Sequence, residues 1–405
     1  MTSNSAGRNP VKETDALPYG ALLAMAVTAF AVAITEALPA GLLPAMSADL
    51  SVRESAAGQV ISVYAIGIVL ATIPLAAATA TWSRKRLLVV TLLVFSVANA
   101  AMTLSSIYAL SMAARFVAGA AGGLIWAILA PYARRIVAPH QAGKALAIAM
   151  VGIPVALSAG VPAGTFLGEA FGWRTAFGAI TVLSLLLVLW VLLGVPDREG
   201  SERHRAPLTD TVRIPGIPSI LFVTLVFVLA HFILYTYVAT FLASIDMGDA
   251  TGFVLLVFGL ASLMGLWIAG AQIHSHLHGL TVASAFLVAI AALALATFSG
   301  NAVLVYVAVG AWGLGWGGLP TLMQTAVSTS AKDAADTAQS FYVSVFNVGM
   351  AAGGATGGLL LRTMGPASLP WAVLVLMSVV LAAVLIARTH AFPAHHHRAC
   401  QPPSQ

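Results

Sequence analysis

The sequence predicts an all-α membrane protein, with twelve transmembrane helices in two pseudo-symmetric six-helix bundles. Three observations lead there. The 405 residues are 60% hydrophobic and only 8% charged, with a mean hydropathy of +0.94, whereas soluble domains carry about 25% charged residues. Apolar runs long enough to cross a bilayer recur along the whole chain. The pattern of the first half then returns in the second.

The runs fall near 19–46, 55–80, 87–105, 108–133, 143–168, 173–195, 218–243, 251–273, 279–299, 302–326, 337–361 and 369–388, and are referred to as spans 1 to 12. The longest polar stretch between them, PDREGSERHRAPLTDTVRIPGI, divides them six and six. The expected organisation is a tail over 1–18, a bundle over 19–195, a linker over 196–217, a second bundle over 218–388 and a tail over 389–405. The polar start followed by a full-length apolar run reads as a spanning helix rather than a cleavable signal. Of the 19 Lys and Arg residues, all but Arg53, Arg115, Arg174 and Arg362 fall on one side if the N-terminus is inside. The positive-inside rule then places both termini and the linker in the cytoplasm. The pI near 9.6 reflects these basic loops and not nucleic-acid binding. A single cysteine, Cys400, excludes an internal disulfide.

The halves align at an offset of about 194 residues. SVYAIGIVLA (62–71) matches LVFGLASLMG (256–265), which pairs Tyr64 with Phe258. GAAGGLIWA (119–127) matches GLGWGGLPT (313–321), and GVPAGTFLGEAFG (160–172) matches GGATGGLLLRTMG (353–365). Parallel repeats of six spans are the plan of transporters that rock about a site near the midplane.

Two ionised side chains remain well inside spans, Glu36 in span 1 and Arg115 in span 4. A charge at mid-bilayer costs about 2.5–3.5 kcal/mol or more, so both should face the bundle interior. By helix rise Glu36 lies about 15 Å, and Arg115 about 10 Å, below the outer surface. They share a depth and are expected to pair, either as a structural lock or as a carboxylate that releases its arginine when it takes a proton. His231 in span 7, with Tyr235 one turn on, falls close to the repeat position of Glu36. It is read either as a proton-accepting group or as a hydrogen-bonding residue in a substrate pocket. Gln59, Tyr64, Trp126, Gln324 and Asn347 complete the candidate substrate cavity, with Trp126 and Gln324 in the repeat-related spans 4 and 10, as a shared cavity would have them. Asn99 and Gln339 are further intramembrane amides that can simply bond across helices. Gly152, Gly160 and Gly164, with Pro162, mark span 5 as a smooth, bent helix, and the glycines of span 11 repeat the pattern. Both stripes are expected to slide or hinge between the halves. HSHLH (274–278) and HHH (395–397) lack a second ligand type and are not read as metal sites. No phosphate-binding loop or hydrolase signature appears, so no cofactor and no enzyme activity are expected.

These residues resemble the major facilitator superfamily, and within it the twelve-span drug:proton antiporters of the bacterial sugar, nucleoside and chloramphenicol efflux branch. TEALPAGLLPAMSADLSVRESAAGQVISVYAIG (35–67) is similar to that branch's first-span motif. RFVAGAAGG (115–123) is similar to the span 4 motif, which implies a role in proton coupling for Arg115. GVPAGTFLGEAFGWR (160–174) is similar to the span 5 antiporter motif. The resemblance implies a monomer in the bacterial cytoplasmic membrane that exports a small organic molecule against protons. One segment departs from the family pattern. The loop between spans 2 and 3 keeps Arg84, Lys85 and Arg86 but lacks the usual aspartate and both glycines, so the usual charge network cannot form there in the usual way. Two other readings compete with export: an uncoupled facilitator of sugars or nucleosides with Glu36 structural, and a sensor that moves nothing.

Overall fold

The computed structural model describes residues 17–199, 213–331 and 334–387. The His395–His397 run and Cys400 lie outside the described residues. Among the described residues twelve helices are long and apolar enough to cross a membrane. They are Tyr19–Ala37, Glu54–Ala78, Arg84–Leu104, Tyr108–Arg135, Pro139–Phe171, Trp173–Gly194, Ile217–Tyr235, Gly248–Ile273, Ser275–Thr297, Ala302–Ala331, Thr337–Met364 and Ser368–Ile386, matching spans 1 to 12. Bare apolar side chains such as Leu193 (79% exposed) and Ile386 (82%) cover the outside, as suits a surface solvated by lipid.

Within the first half, span 4 packs on spans 2 and 3, span 6 on span 3, and span 1 on spans 5 and 6. The second half repeats this: spans 8 and 9 pack on spans 10 and 12, and span 7 on spans 11 and 12. The repeat holds at single atoms. A Cβ on Gly119 would meet the carbonyl of Tyr64, and a Cβ on Gly313 would meet that of Phe258. Spans 5 and 6 join through Gly172 (φ 89°), and spans 11 and 12 through Gly365 (φ 80°). Only glycine adopts this left-handed backbone without strain.

Spans 1 and 7 are interrupted at matching depths. Span 1 breaks at Leu38 and resumes as Pro39–Asp49, and span 7 breaks at Thr236 and Tyr237 and resumes as Val238–Ala243. In span 1 the cause is Pro39, which has no N–H to offer the carbonyl of Thr35. Span 5 contains a wide turn over Ala156–Gly160, where the Val161 N–H reaches back to the Ala156 carbonyl. It lies between Pro154 and Pro162, and the Ser158 hydroxyl donates to the Pro154 carbonyl at 2.7 Å. Spans 8 and 9 are two helices joined directly at a kink, where His276 leaves helical geometry (φ −132°, ψ 27°).

The glycine stripes do not both lie between the halves. In span 5, Gly152 approaches the backbone of Ala26 and Phe30, Gly160 the Phe30 ring, and Gly164 the Leu38 side chain. All three therefore seat span 1 inside its own half. Pro162 is buried on the same helix. Span 5 meets the other half along a different face, where Gly259 of span 8 closes on Leu157 and Ser158. Span 11 is divided. Gly349, Gly353 and Gly357 face span 7, while Gly354 and Gly358 face Ser62, Gln59 and Ser55 of span 2. The halves thus meet through the symmetry-related pairs 2 with 11 and 5 with 8, together with the far ends of spans 1 and 7.

Candidate functional site

The face bearing Arg84–Arg86, Arg134 and Arg135 is called here the basic face, and the opposite one, with Asp49, Glu54 and Gly172, the far face. At the far face a seam of hydrogen bonds joins the halves. Gln59 Nε2 donates to the Tyr237 hydroxyl at 3.3 Å, to the Ser55 carbonyl at 3.1 Å and to the Gly354 carbonyl at 3.5 Å. The Tyr237 hydroxyl donates to the Gly354 carbonyl at 2.9 Å. Beyond them the Thr240 hydroxyl donates to the Glu54 carboxylate. Gln59, expected in the substrate cavity, is therefore part of the seam, because its amide is taken up by backbone and phenol groups of both halves. Beside the seam Asp49 pairs with Arg174 and accepts from Trp173 Nε1 at 3.0 Å. Arg174 also donates to the Ser105 carbonyl at 2.8 Å. The G-W-R segment thereby clamps the far end of span 1 to spans 3 and 6.

Below the seam two buried clusters lie one in each half. The first centres on Arg115, only 1% exposed. Its Nη1 donates to the Thr35 carbonyl at 2.9 Å and its Nε to the Val60 carbonyl at 3.0 Å. The first acceptor is the carbonyl that Pro39 leaves free, so the break in span 1 creates the socket for the charge. The guanidinium carbon sits 4.5 Å from the centre of the Tyr64 ring, a cation–π contact that partly replaces water. Among the described residues Nη2 is buried without a hydrogen-bond partner, as is the Tyr64 hydroxyl. The expected direct pair with Glu36 is not formed: Arg115 bonds backbone carbonyls instead, because the proline presents one at the right depth. Glu36 makes no hydrogen bond among the described residues. It interacts through space with Arg115, with Tyr64 and, across the seam, with Tyr235. A half-buried carboxylate thus stands beside an unused guanidinium donor.

The second cluster is aromatic and uncharged. His231, 2% exposed, lies face to face on Trp316, with ring centres 3.5 Å apart and planes at 4°. Tyr235 and Phe258 flank it at 5.0 and 5.8 Å, tilted by 23° and 28°. Trp312 Nε1 donates to His231 Nδ1 at 3.1 Å. Indole is a donor only, so Nδ1 carries no proton and the imidazole is neutral with its proton on Nε2. Trp312, Trp316 and Phe258 were not singled out as site residues from sequence. Their signal was available, since two tryptophans four apart share a helix face in the glycine-rich part of span 10.

The other candidates are scattered. Asn347 donates to the Val343 carbonyl of its own helix at 2.8 Å. Trp126 packs half-buried against the core of the first half. Gln324 is exposed, and its carbonyl accepts from Gln339 Nε2 at 2.7 Å. No hydrogen bond joins Trp126 and Gln324 among the described residues.

At the basic face the loop between spans 2 and 3 finds a carboxylate elsewhere. Asp197, just past span 6, accepts from the Lys85 and Arg198 N–H groups at 3.2 and 2.8 Å. The Arg84 N–H donates to the Arg198 carbonyl at 2.7 Å. Arg198 Nε in turn reaches the Arg135 carbonyl, and the Tyr132 hydroxyl reaches the Pro196 carbonyl. Partial burial alone would raise Asp197. The Ser83 hydroxyl, the two backbone N–H groups and the Lys85 charge outweigh it and hold the carboxyl below the ordinary range. A substitute network therefore ties span 3 to the ends of spans 4 and 6.

Two related six-helix bundles, sealed at one face above a buried arginine and an aromatic cluster, define a multi-pass membrane protein of the transporter type. The profile of the Major Facilitator Superfamily matches residues 25–354, and the chain belongs to that family. A chloramphenicol efflux pump of Mycobacterium tuberculosis is 31% identical over 84% of this chain and 85% of its own length. The purine ribonucleoside efflux pump NepI of Escherichia coli is 26% identical over 86% and 88%. A probable sugar efflux transporter of Mannheimia succiniciproducens is 27% identical over 88% and 91%. Among solved structures, a bacterial homologue of the human lysosomal transporter Spinster, inward-facing and occupied, shares the fold with TM-score 0.71 at 15% identity, over 93% of this chain and 98% of that one.

Proposed function

We propose that this chain is a proton-coupled antiporter that exports a small organic molecule across a bacterial cytoplasmic membrane by alternating access. In this reading the basic face is cytoplasmic, both termini lie inside, 19–195 and 218–388 are the moving bundles, and 196–217 links them. In the same reading the far-face seam is the outer gate, closed by the bonds of Gln59, Tyr237 and Thr240. The observation that carries the reading is Arg115, buried with Nη2 unpartnered beside Glu36 at the break in span 1. An ionised Glu36 is attracted to that donor, and a protonated one is released from it, so one proton changes how span 1 is held between spans 2 and 4. Three similar efflux pumps, for chloramphenicol, purine ribonucleosides and sugars, support export as the direction.

The test uses energised inside-out vesicles with a preset pH gradient read by a fluorescent dye. A panel of amphenicols, nucleosides and sugars is added in turn. Collapse of the gradient by one class, absent in Glu36→Gln, is the expected result. Substrate exchange that is indifferent to pH and survives Glu36→Gln would establish an uncoupled facilitator instead.

A further inference from the structure

We propose that His231 occupies the seat of the transported molecule, and that the substrate is one whose planar, neutral aromatic or heteroaromatic ring replaces the imidazole against Trp316. The proposal rests on the efflux reading above and names the substrate class for it.

A neutral imidazole has one donor and one acceptor and two polarisable faces. Here the acceptor is taken by Trp312, and one face is covered by Trp316 at 3.5 Å in nearly parallel planes. Aromatic pairs usually settle at centre distances of about 4.5–7 Å in offset or edge-on arrangements. The other ring contacts of His231, from 5.0 to 5.8 Å, fall in that range. Tyr235 and Phe258 stack on it at a wider tilt, and among the described residues the Trp316 ring is the nearest and most nearly parallel, at the thickness of a single ring. The slot is therefore one flat ring thick, polar at one edge through the Trp312 N–H, and otherwise flanked by the rings of Trp316, Phe232, Tyr235 and Phe258.

Among the described residues His231 hydrogen-bonds no charged side chain. The repeat position of Arg115 in this half is Val309, and that of Tyr64 is Phe258, so the polar groups of the first half are absent by substitution. A sugar would leave its hydroxyls unpaired among Trp316, Phe258 and Phe232, at about 1–3 kcal/mol for each buried unsatisfied group. A flat ring carrying one hydrogen-bond acceptor at its edge would keep the Trp312 bond and lose no contact. The slot also touches the element that moves: Tyr235 stacks on His231, and the break in span 7 begins at the next residue, with Tyr237 bonded into the seam. Exchange of one ring for another at Trp316 would therefore be felt directly at the outer gate.

The experiment measures binding of inosine, chloramphenicol and lactose to the purified full-length protein by intrinsic tryptophan quenching, with calorimetry as a second readout. The expected result has four parts. The two planar probes bind and lactose does not. Trp316→Leu weakens the planar probes at least tenfold, while Trp316→Phe, which keeps a stacking face, restores them to within a few-fold. His231→Ala, which empties the seat, tightens them several-fold. All variants keep the same elution volume in size-exclusion chromatography, so that misfolding is not mistaken for lost binding. Lactose binding as tightly as inosine, Trp316→Leu changing affinity by less than twofold, or His231→Ala weakening the planar probes would each overturn the proposal. Gradient collapse driven by lactose alone would overturn it while leaving the efflux reading intact. Absence of proton-coupled transport for every probe, with ring binding intact, would do the opposite.

Discussion

The two halves share a scaffold and differ in what they bury. In the first, the residue one turn before Gly119 is Arg115, and span 4 is held close enough to span 2 for its guanidinium to cover the Tyr64 ring. In the second, the residue one turn before Gly313 is Val309. The helix approach is the same, but Trp316 stands where Gly122 stands in the first half and carries its ring onto His231. The small residues set the backbone distance, and the remaining side chains decide whether the pocket holds charge or rings. The charge has a further requirement, an acceptor deep in the membrane, which the first half supplies by interrupting span 1 with Pro39 and freeing the Thr35 carbonyl. Span 7 is interrupted without a proline and has no cation to receive. The comparison teaches that one half is built to bury a charge and the other to bury a stack of uncharged rings; in the proposed reading the first answers to protons and the second to the transported molecule.

The sharpest way to break this comparison is to remove the charge. Arg115→Ala leaves the Thr35 and Val60 carbonyls without their donor and Glu36 without its neighbouring cation, and is expected to cost about 3–5 kcal/mol and, in the proposed reading, to abolish coupled transport. Val309→Ala removes two methyl carbons and is expected to cost about 1.5 kcal/mol. Denaturant titration in mixed micelles compares the two, and equal losses would remove the distinction between the halves. The shared scaffold is tested by Gly119→Leu and Gly313→Leu. Each drives a side chain into a neighbouring carbonyl, and each is expected to cost about 1–3 kcal/mol. A harmless Gly313→Leu would show that the repeat does not extend to helix approach.

The seam gives a smaller effect. Tyr237→Phe removes hydroxyl bonds to Gln59 and Gly354. A hydrogen bond contributes about 0.5–1.5 kcal/mol, so opening of the far face should rise roughly two- to tenfold. The labelling rate of Ser55→Cys in a Cys400→Ser background reads it. The smallest effect is at Asp197, whose carboxyl is held below its ordinary value of 3.8. A depressed carboxylate stabilises the folded chain above the unfolded value, and that contribution is lost as pH falls through the folded one. Wild type should therefore melt slightly higher than Asp197→Asn at pH 6, and the gap should close below about pH 4. A gap that widens on acidification would contradict the substitute network at the basic face.

Much of the fold was legible because it rests on one-dimensional patterns. Twelve apolar runs and glycines at a constant offset follow from hydropathy and spacing alone. Glu36 and Arg115 stood out because charge inside a membrane run is conspicuous. Their partners did not. That Arg115 bonds Thr35 and Val60 depends on which carbonyl Pro39 frees and on how spans 1, 2 and 4 cross, and no sequence spacing encodes a crossing. The span 5 stripe was visible as a stripe, but its direction, toward span 1 and not toward the other half, is a property of helix rotation. Gln59 looked like a cavity amide because depth alone does not separate a seam from a cavity. Asp197 was hidden in a loop, where charge is ordinary.

The central claim is that protons act on the first half and not on the second. It is tested most directly by comparing Glu36→Gln with His231→Gln in the vesicle gradient assay, using whichever compound collapses the wild-type gradient. The account predicts that Glu36→Gln abolishes the collapse at every pH, while His231→Gln retains proton coupling with a changed affinity for the compound. Loss of coupling in His231→Gln, with coupling intact in Glu36→Gln, would contradict it.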